Sequence, residues 1–350
     1  MTAANPFYTE EHEIFRAQMR RFVERECEPH IEAWEAAGAL PRGLHRKAAE
    51  AGLLGIDFPA AYGGVEVPDP FYRVIVVEEL SRTGAGGLIA SLLSHGIACP
   101  PIVHAGTEEQ KHRFLRPVLE GRQIAALAVT EPSGGSDVAD LRTRAVRDGD
   151  DYIVNGSKAL ITSGLRADYF TVAVRTGGTG LGGISLLVIE ADRPGVSRTR
   201  LDKMGWWCSD TATLYFEDCR VPTTNRLGQE NQGFMALLLN FNHERLMLSA
   251  QAWAMAQLCY DEALAHARQR RSFGKPLIAR QVIRHKLLDM KMGIDAVKAQ
   301  LDLLCWRVAQ KRMPVAEICL LKNLATGTLE QVAAEAVQIL GGAGYLRGAK

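Results

Sequence analysis

Several common functions are excluded by what this sequence lacks. Its seven cysteines, Cys27, Cys99, Cys208, Cys219, Cys259, Cys305 and Cys319, lie far apart, and no CxxC pair offers zinc or dithiol spacing. Neither charge is in excess: 41 Lys+Arg face 40 Asp+Glu, a formal +1, so no global field recruits nucleic acid or an anionic membrane. Only local anion sites remain. No segment approaches the roughly 20 apolar residues of a membrane span. The opening, "MTAANPFYTEEHEIFRAQMRRF", has neither the apolar run of a secretory signal nor the Arg-rich, acid-poor character of a transit peptide. These absences predict a cytoplasmic protein with reduced thiols, with neither nucleic acid nor membrane among its partners. There are no internal repeats and no low-complexity stretch, and 350 residues suffice for two or three packed units.

What is present falls into three zones, an α+β arrangement in the order helical, β, helical. Residues 1–122 carry charge and apolar residues at three-to-four spacing, as in "EEHEIFRAQMRRFVERECEPHIEAWEAAG", which stops at Gly38 with Pro41 beyond. Residues 123–228 change to short β-type runs, among them "IAALAVT", "YIVNG", "KALIT", "YFTVAVRT", "ISLLVIEA" and "ATLYFEDCRVP", separated by turn clusters. An antiparallel barrel or sandwich is expected there. From 229 to 350 the helical period returns in long, weakly interrupted segments joined by short turns, which predicts an antiparallel helical bundle.

Four motifs could carry chemistry. "VTEPSGGSD", Val129 to Asp137, ends an apolar strand in a Pro/Gly-rich loop. It reads either as an ordinary turn or as a ligand cradle, with glycines permitting close backbone approach and Thr130 and Ser136 offering hydroxyls. "GTGLGG", Gly178 to Gly183, has the form GxGxxG but runs into the strand-like "ISLLVIEA" instead of a helix, so it is read as a hairpin loop and not a nicotinamide site. "RQRRSFGKP" and "QILGGAGY" each fit an interhelical turn or a helix C-cap. Together they also offer cations, amides and exposed backbone N–H groups to a pyrophosphate.

The sharpest feature is the triplet His243, Glu244, Arg245 in "NFNHERLMLSAQAWAMAQLC", after which no charge occurs until Asp261. At helical period Glu244 shares a stripe with Leu237, Phe241, Leu248 and Met255. Burying an unpaired carboxylate costs several kcal/mol or forces it to take up a proton. Arg245 is rotated from it by about 100° on the helix and does not face it. Glu244 is therefore either one half of a buried ion pair with another helix or a carboxylate whose pKa is raised for general-base work on a carbon acid. His243 groups with Leu239 and Met247 and is read as a structural histidine of a core or an interface.

Taken in order, "TEPSGGSD", "FEDCRVP", "LGQENQGF", "RSFG" and "QILGGAGY" make the chain resemble an acyl-CoA dehydrogenase over nearly its whole length. That resemblance implies an oxidoreductase of fatty acid metabolism, a flavoprotein that binds FAD and forms a homotetramer through its C-terminal bundles. It implies that Leu127, Val129, Thr130, Gly135 and Ser136 hold the isoalloxazine ring, with Ser136 also touching the thioester ligand. Leu160, Ile161 and Thr162 would face the ring, Leu160 standing where many members carry an aromatic. Arg270, Phe273, Gln281, Gln338, Gly341 and Gly342 would contact the FAD of a neighbouring subunit.

"HERL" resembles the branch, typified by isovaleryl-CoA and long-chain enzymes, that carries its catalytic Glu on this bundle helix. Glu244 would remove the α proton of an acyl-CoA thioester while flavin N5 accepts the β hydride. Asn242 and Arg245 would lie near the CoA moiety, and the helix around Ser91, Ser94 and His95 near the acyl group. An electron-transfer flavoprotein is the implied acceptor. Relatives continue past the position of "GYLRGAK", so the bundle is expected to be shortened at its end. A reduced-flavin-dependent hydroxylase on the same fold, which has no use for a carbon-acid base, and a non-catalytic CoA- or flavin-binding relative are the alternatives.

Overall fold

The computed structural model describes residues 5–346 and 348. The chain forms two compact units: Met1–Glu32 with Val67–Ala85 and Asn242–Lys350, and Ala33–Glu66 with Gly86–Phe241. Among the described residues no single helix is long and apolar enough to cross a membrane.

The first unit is helical. Its helix Glu10–Glu26 starts at a capping box, Thr9 accepting from the His12 N–H while His12 Nδ1 takes the Thr9 N–H at 3.0 Å. Three acidic residues in its first turn suit the positive end of the helix dipole. It packs on Phe71–Ser81, and between them Glu79, 1% exposed, is compensated by Arg20 (3.0 and 2.9 Å), Arg16 (3.5 Å) and Arg82 (3.5 Å). Gln281–Ala309 and Val315–Leu340 form an antiparallel hairpin joined by a short turn. Leu287, Met290, Ile294, Val297, Leu301 and Leu304 bury one face of the former at alternating three- and four-residue steps. The segment before the first helix is pinned to the same helix: Asn5 Nδ2 donates to Asp302 (2.8 Å), and Lys298 Nζ to Tyr8 Oη (3.0 Å) and Asp302 (2.6 Å).

The second unit holds one eight-stranded sheet: β1 Ala125–Ala128, β2 Arg144–Asp148, β3 Asp151–Thr162, β4 Tyr169–Arg175, β5 Ile184–Glu190, β6 Val196–Arg200, β7 Thr211–Pro222 and β8 Arg226–Leu227. The order is β6-β7-β3-β2-β4-β5-β8, with β1 paired to β4. The sheet is mixed rather than wholly antiparallel. β5 takes one edge of β4 antiparallel, while β1 runs parallel to Tyr169–Val172 of β4, and β2 takes over with a parallel pairing of Arg144 and Arg175. The chain therefore leaves β4 at Ala128 and returns to it at Arg144, and "VTEPSGGSD" lies in the excursion between.

β4 and β5 are buried on both faces. Tyr169, Ala173, Leu186 and Val188 meet Ile102, Phe114, Leu115 and Val118 of the helical layer, together with Leu237. Phe170, Val172, Val174, Leu187 and Ile189 share a second core with Tyr152 and Val154 of β3 and Leu214, Phe216 and Val221 of β7, so the sheet curls over its own interior. Gly178–Gly183 lies in the β4–β5 hairpin connection, as its sequence context predicts.

Candidate active site

In the second unit the excursion after β1 turns tightly at Glu131–Gly134, where the two residues exchange backbone hydrogen bonds of 3.1 Å each. The Glu131 side chain is tucked beneath the turn. Its carboxylate accepts from Arg142 N (2.6 Å), Thr143 N (2.8 Å) and Lys158 Nζ (2.8 Å), and Lys158 Nζ also donates to Val129 O at 3.0 Å. Lys158 is 0% exposed and Glu131 6%. Burial pushes the Lys158 ammonium down to about 8, against the pull of Glu131. Burial would raise the Glu131 carboxyl, but the Lys158 charge and the donors from Lys158 and Thr143 outweigh it and hold Glu131 below its ordinary value.

Above this pair Thr130 O accepts from Ala159 N at 2.9 Å, which fixes the loop to β3. Among the described residues neither the Thr130 N–H nor its hydroxyl has a partner. Gly135 and Ser136 are exposed, and a Cβ placed on Gly135 would stand 3.3 Å from Thr130 Cγ2 and 3.8 Å from its hydroxyl oxygen. The missing side chain leaves clear the space beside the Thr130 methyl and hydroxyl.

β3 breaks its alternation beside this loop. Its pairing with β7 shifts between Lys158 and Ile161, and Leu160 takes φ +60°, a left-handed conformation unusual for a leucine. The bulge leaves Leu160 67% exposed and turns Ile161 inward to 3%. Ile161 therefore does not offer its side chain to a bound ring, contrary to the expectation that all three of Leu160, Ile161 and Thr162 do; only its backbone is available. Val129 is likewise buried and Leu127 half-buried against the helix-facing core, so both act through backbone and packing. Ser94 Oγ donates to Ala125 O of β1 (3.0 Å), and His95 Nε2 meets Leu54 O in the turn after Gly43–Glu50 (2.9 Å); these bonds give both side chains a structural role.

In the first unit Glu244 is half-buried on the helix Gly233–Gln269. Burial raises its carboxyl pKa, and the Arg73 guanidinium on Phe71–Ser81 offsets only part of that rise. Asn242 and Arg245, i and i+3 on the same helix, meet directly: Arg245 Nη1 donates to Asn242 Oδ1 at 3.0 Å. His243 is exposed, which removes the core alternative of the expected core or interface histidine, while Met247 one turn on is buried; the side chain of Leu239, the other member of that expected group, lies outside the described residues.

The same unit carries the remaining candidates on its surface. "RSFG" forms a two-residue hairpin turn between Arg271–Ser272 and Lys275–Pro276, with Phe273 (φ +48°) and Gly274 (φ +75°) both left-handed, as a type I′ turn requires. Phe273 is 95% exposed, steadied by Arg280, whose guanidinium lies 5.7 Å from the ring centre. Arg270, Gln281, Gln338, Gly341 and Gly342 are exposed as well. Lys286 at the start of one hairpin helix pairs with Glu335 near the end of the other, which brings Gln281 and Gln338 to the same end of the pair.

Three family models match the chain in sequence: acyl-CoA dehydrogenase N-terminal domain over residues 9–122, middle domain over 126–219 and C-terminal domain over 231–350. The chain belongs to the acyl-CoA dehydrogenase family. It is 37% identical to the long-chain specific acyl-CoA dehydrogenase, mitochondrial, of Sus scrofa, over 97% of this chain and 79% of that protein. It superposes on an acyl-CoA dehydrogenase from Geobacillus kaustophilus with a TM-score of 0.95 and 38% identity, covering 99% of this chain and 91% of the other. A glutaryl-CoA dehydrogenase from Mycobacterium smegmatis in complex with FADH2 gives 0.92 and 27%, covering 99% and 88%.

Acyl-CoA dehydrogenases are FAD-dependent, and the loop fits the group: Thr130 supplies an unused N–H and hydroxyl, Gly135 leaves the approach clear, and the Leu160 bulge exposes strand backbone. Glu131 and Lys158 are site residues that the sequence motifs do not single out. The usable signal is parity, because Lys158 shares the inward phase of Tyr152 and Val154 on β3.

Proposed function

We propose that Glu244 is the general base of this acyl-CoA dehydrogenase and removes the α proton of an acyl-CoA thioester. The observation that carries the assignment is its setting: a half-buried carboxylate with a raised pKa, countered only in part by Arg73. A base in that state has a proton affinity closer to that of a weak carbon acid than an exposed carboxylate has. As the α C–H bond breaks, its proton passes to a Glu244 oxygen and its electron pair enters the new α,β double bond. Bound FAD supplies the acceptor for the hydride that leaves the β carbon. The Thr130 N–H and hydroxyl hold the flavin, with Ser136 beside them, and the hydrogen-bonded pair Arg245 and Asn242 orients the CoA portion.

Leu288, Met292, Leu320, Leu324 and Val337 are large apolar residues exposed on the bundle helices, and they support a homotetramer assembled through those helices. In such an assembly Arg270, Phe273, Gln281, Gln338, Gly341 and Gly342 reach a neighbour's FAD. An electron-transfer flavoprotein is the proposed acceptor. The seven free thiols suit a reducing compartment such as the cytoplasm.

The test is anaerobic addition of straight, branched and aromatic acyl-CoAs to purified holoprotein while the visible flavin band is followed. Rapid bleaching by at least one of them is expected. A band unmoved by the whole panel would count against the dehydrogenase reading and favour a non-catalytic relative.

A further inference from the structure

We propose that the buried pair Lys158 and Glu131 is a positioning device for the flavin, holding the Val129–Glu131 backbone so that the Thr130 N–H is presented to the cofactor. The proposal rests on the reading of this loop as the flavin cradle. Two charges removed from water beneath a surface turn are an expensive way to fill space, since well-packed apolar residues of the same volume generally serve stability as well or better. Their hydrogen bonds show what they hold. Lys158 Nζ spans Val129 O (3.0 Å) and Glu131 Oε1 (2.8 Å), while the Glu131 oxygens gather the Arg142 and Thr143 N–H groups from the far side of the excursion.

A trans peptide points its C=O and N–H in opposite directions. With Val129 O directed at the buried ammonium, the Thr130 N–H of that peptide must point away from it. The next peptide is fixed independently, because Ala159 N donates to Thr130 O at 2.9 Å. The result is a Thr130 N–H without a partner among the described residues, set between a carbonyl fixed by Lys158 and a carbonyl fixed by Ala159. Neither Lys158, 0% exposed, nor Glu131 can itself reach a ligand, so both act through the backbone.

The decisive comparison uses Lys158→Met, Glu131→Gln and the double variant, with Arg220→Met, which removes two surface ion pairs, to Asp148 and Asp151, at the far end of β3, as control. FAD affinity of the apoprotein and its melting temperature are both measured. Each single variant is expected to weaken FAD binding by about tenfold or more and to shift the visible flavin maximum, while the control does neither. The double variant, with neither charge left buried, should recover melting temperature yet bind FAD as weakly as Lys158→Met, because Val129 O is still unheld. Recovery of FAD affinity together with melting temperature would make the pair merely structural and overturn the proposal.

In the unaltered protein, FAD should slow amide exchange in residues 129–136. Exchange that FAD leaves unchanged would also overturn the proposal, even if every variant failed to fold. The function stands apart from these results: bleaching of the parental flavin by acyl-CoA reports on Glu244, whereas FAD affinity and exchange report on Lys158 and Glu131.

Discussion

Replacing Glu244 by Gln keeps the shape of the side chain and removes its basicity, and the two readings of Glu244 then give opposite signs for stability. If Glu244 were half of a buried ion pair, removing its charge would strand the partner and cost about 3 to 5 kcal/mol. Its raised pKa argues the reverse. Between the ordinary value of 4.5 and the raised folded value, the native state binds more protons than the unfolded chain, so stability falls as pH rises through that window. Its favourable contribution is complete below 4.5 and is lost above the folded pKa, at about 1.4 kcal/mol for every pH unit that separates the two values. Glu244→Gln removes that loss. At pH 8 the variant should melt at or above the parental temperature, and the difference should vanish as pH falls toward 4. Activity moves the other way: a positioned general base contributes about 10² to 10⁴ in rate, or about 3 to 5 kcal/mol of transition-state stabilisation. Stopped-flow bleaching of the flavin and thermal melts over a pH series measure both. A variant that reduces at the parental rate, or one that melts markedly lower at pH 8 than at pH 4 relative to the parent, refutes the assignment.

Three further outcomes follow from the same electrostatics and backbone geometry. Arg73→Met removes the charge that lowers the Glu244 pKa, so the acid limb of the reduction rate should move to higher pH, with about a tenfold loss of rate on that limb for each pH unit it moves; an unmoved limb contradicts the coupling. His45 is buried beside Arg166, and burial first, then that charge, lowers it from 6.5 to about 3. The unfolded chain therefore binds the extra proton between pH 6.5 and 3, stability falls on acidification through that window by up to about 1.4 kcal/mol per pH unit, and His45→Gln should flatten the slope seen in denaturant titrations. Leu160→Gly relieves a left-handed leucine whose side chain is two-thirds exposed, so stability should hold or rise by up to about 1 kcal/mol; a clear loss in chemical denaturation would show that Leu160 packs against something its exposure does not reveal.

The sequence and the structure agree where one element carries the evidence by itself. Glu244 could be found because it violates its own helix: a carboxylate on a stripe with Leu237 and Phe241 needs an explanation before any neighbour is known. Most strands of the central sheet, though not the exposed β6 or the two-residue β8 and with "YIVNG" and "KALIT" joined in the single strand β3, the β4–β5 hairpin loop at "GTGLGG" and the antiparallel pair Gln281–Ala309 and Val315–Leu340 were legible for the same reason, each being written in a local period. What was missed depends on two elements at once. Nothing in "TEPS" says that its Glu is buried, and nothing in "SKALIT" says that its Lys points inward to meet it from 27 residues away. The inward phase of Lys158 follows from Tyr152 and Val154, but the same phase carried forward would bury Leu160 and expose Ile161, and the bulge reverses both. A bulge with a left-handed leucine leaves no mark in a composition or a hydrophobic period. The residues that aim the candidate flavin loop were therefore hidden behind residues that would touch the ligand, because their work is done through the peptide of Thr130 and not through any group they expose.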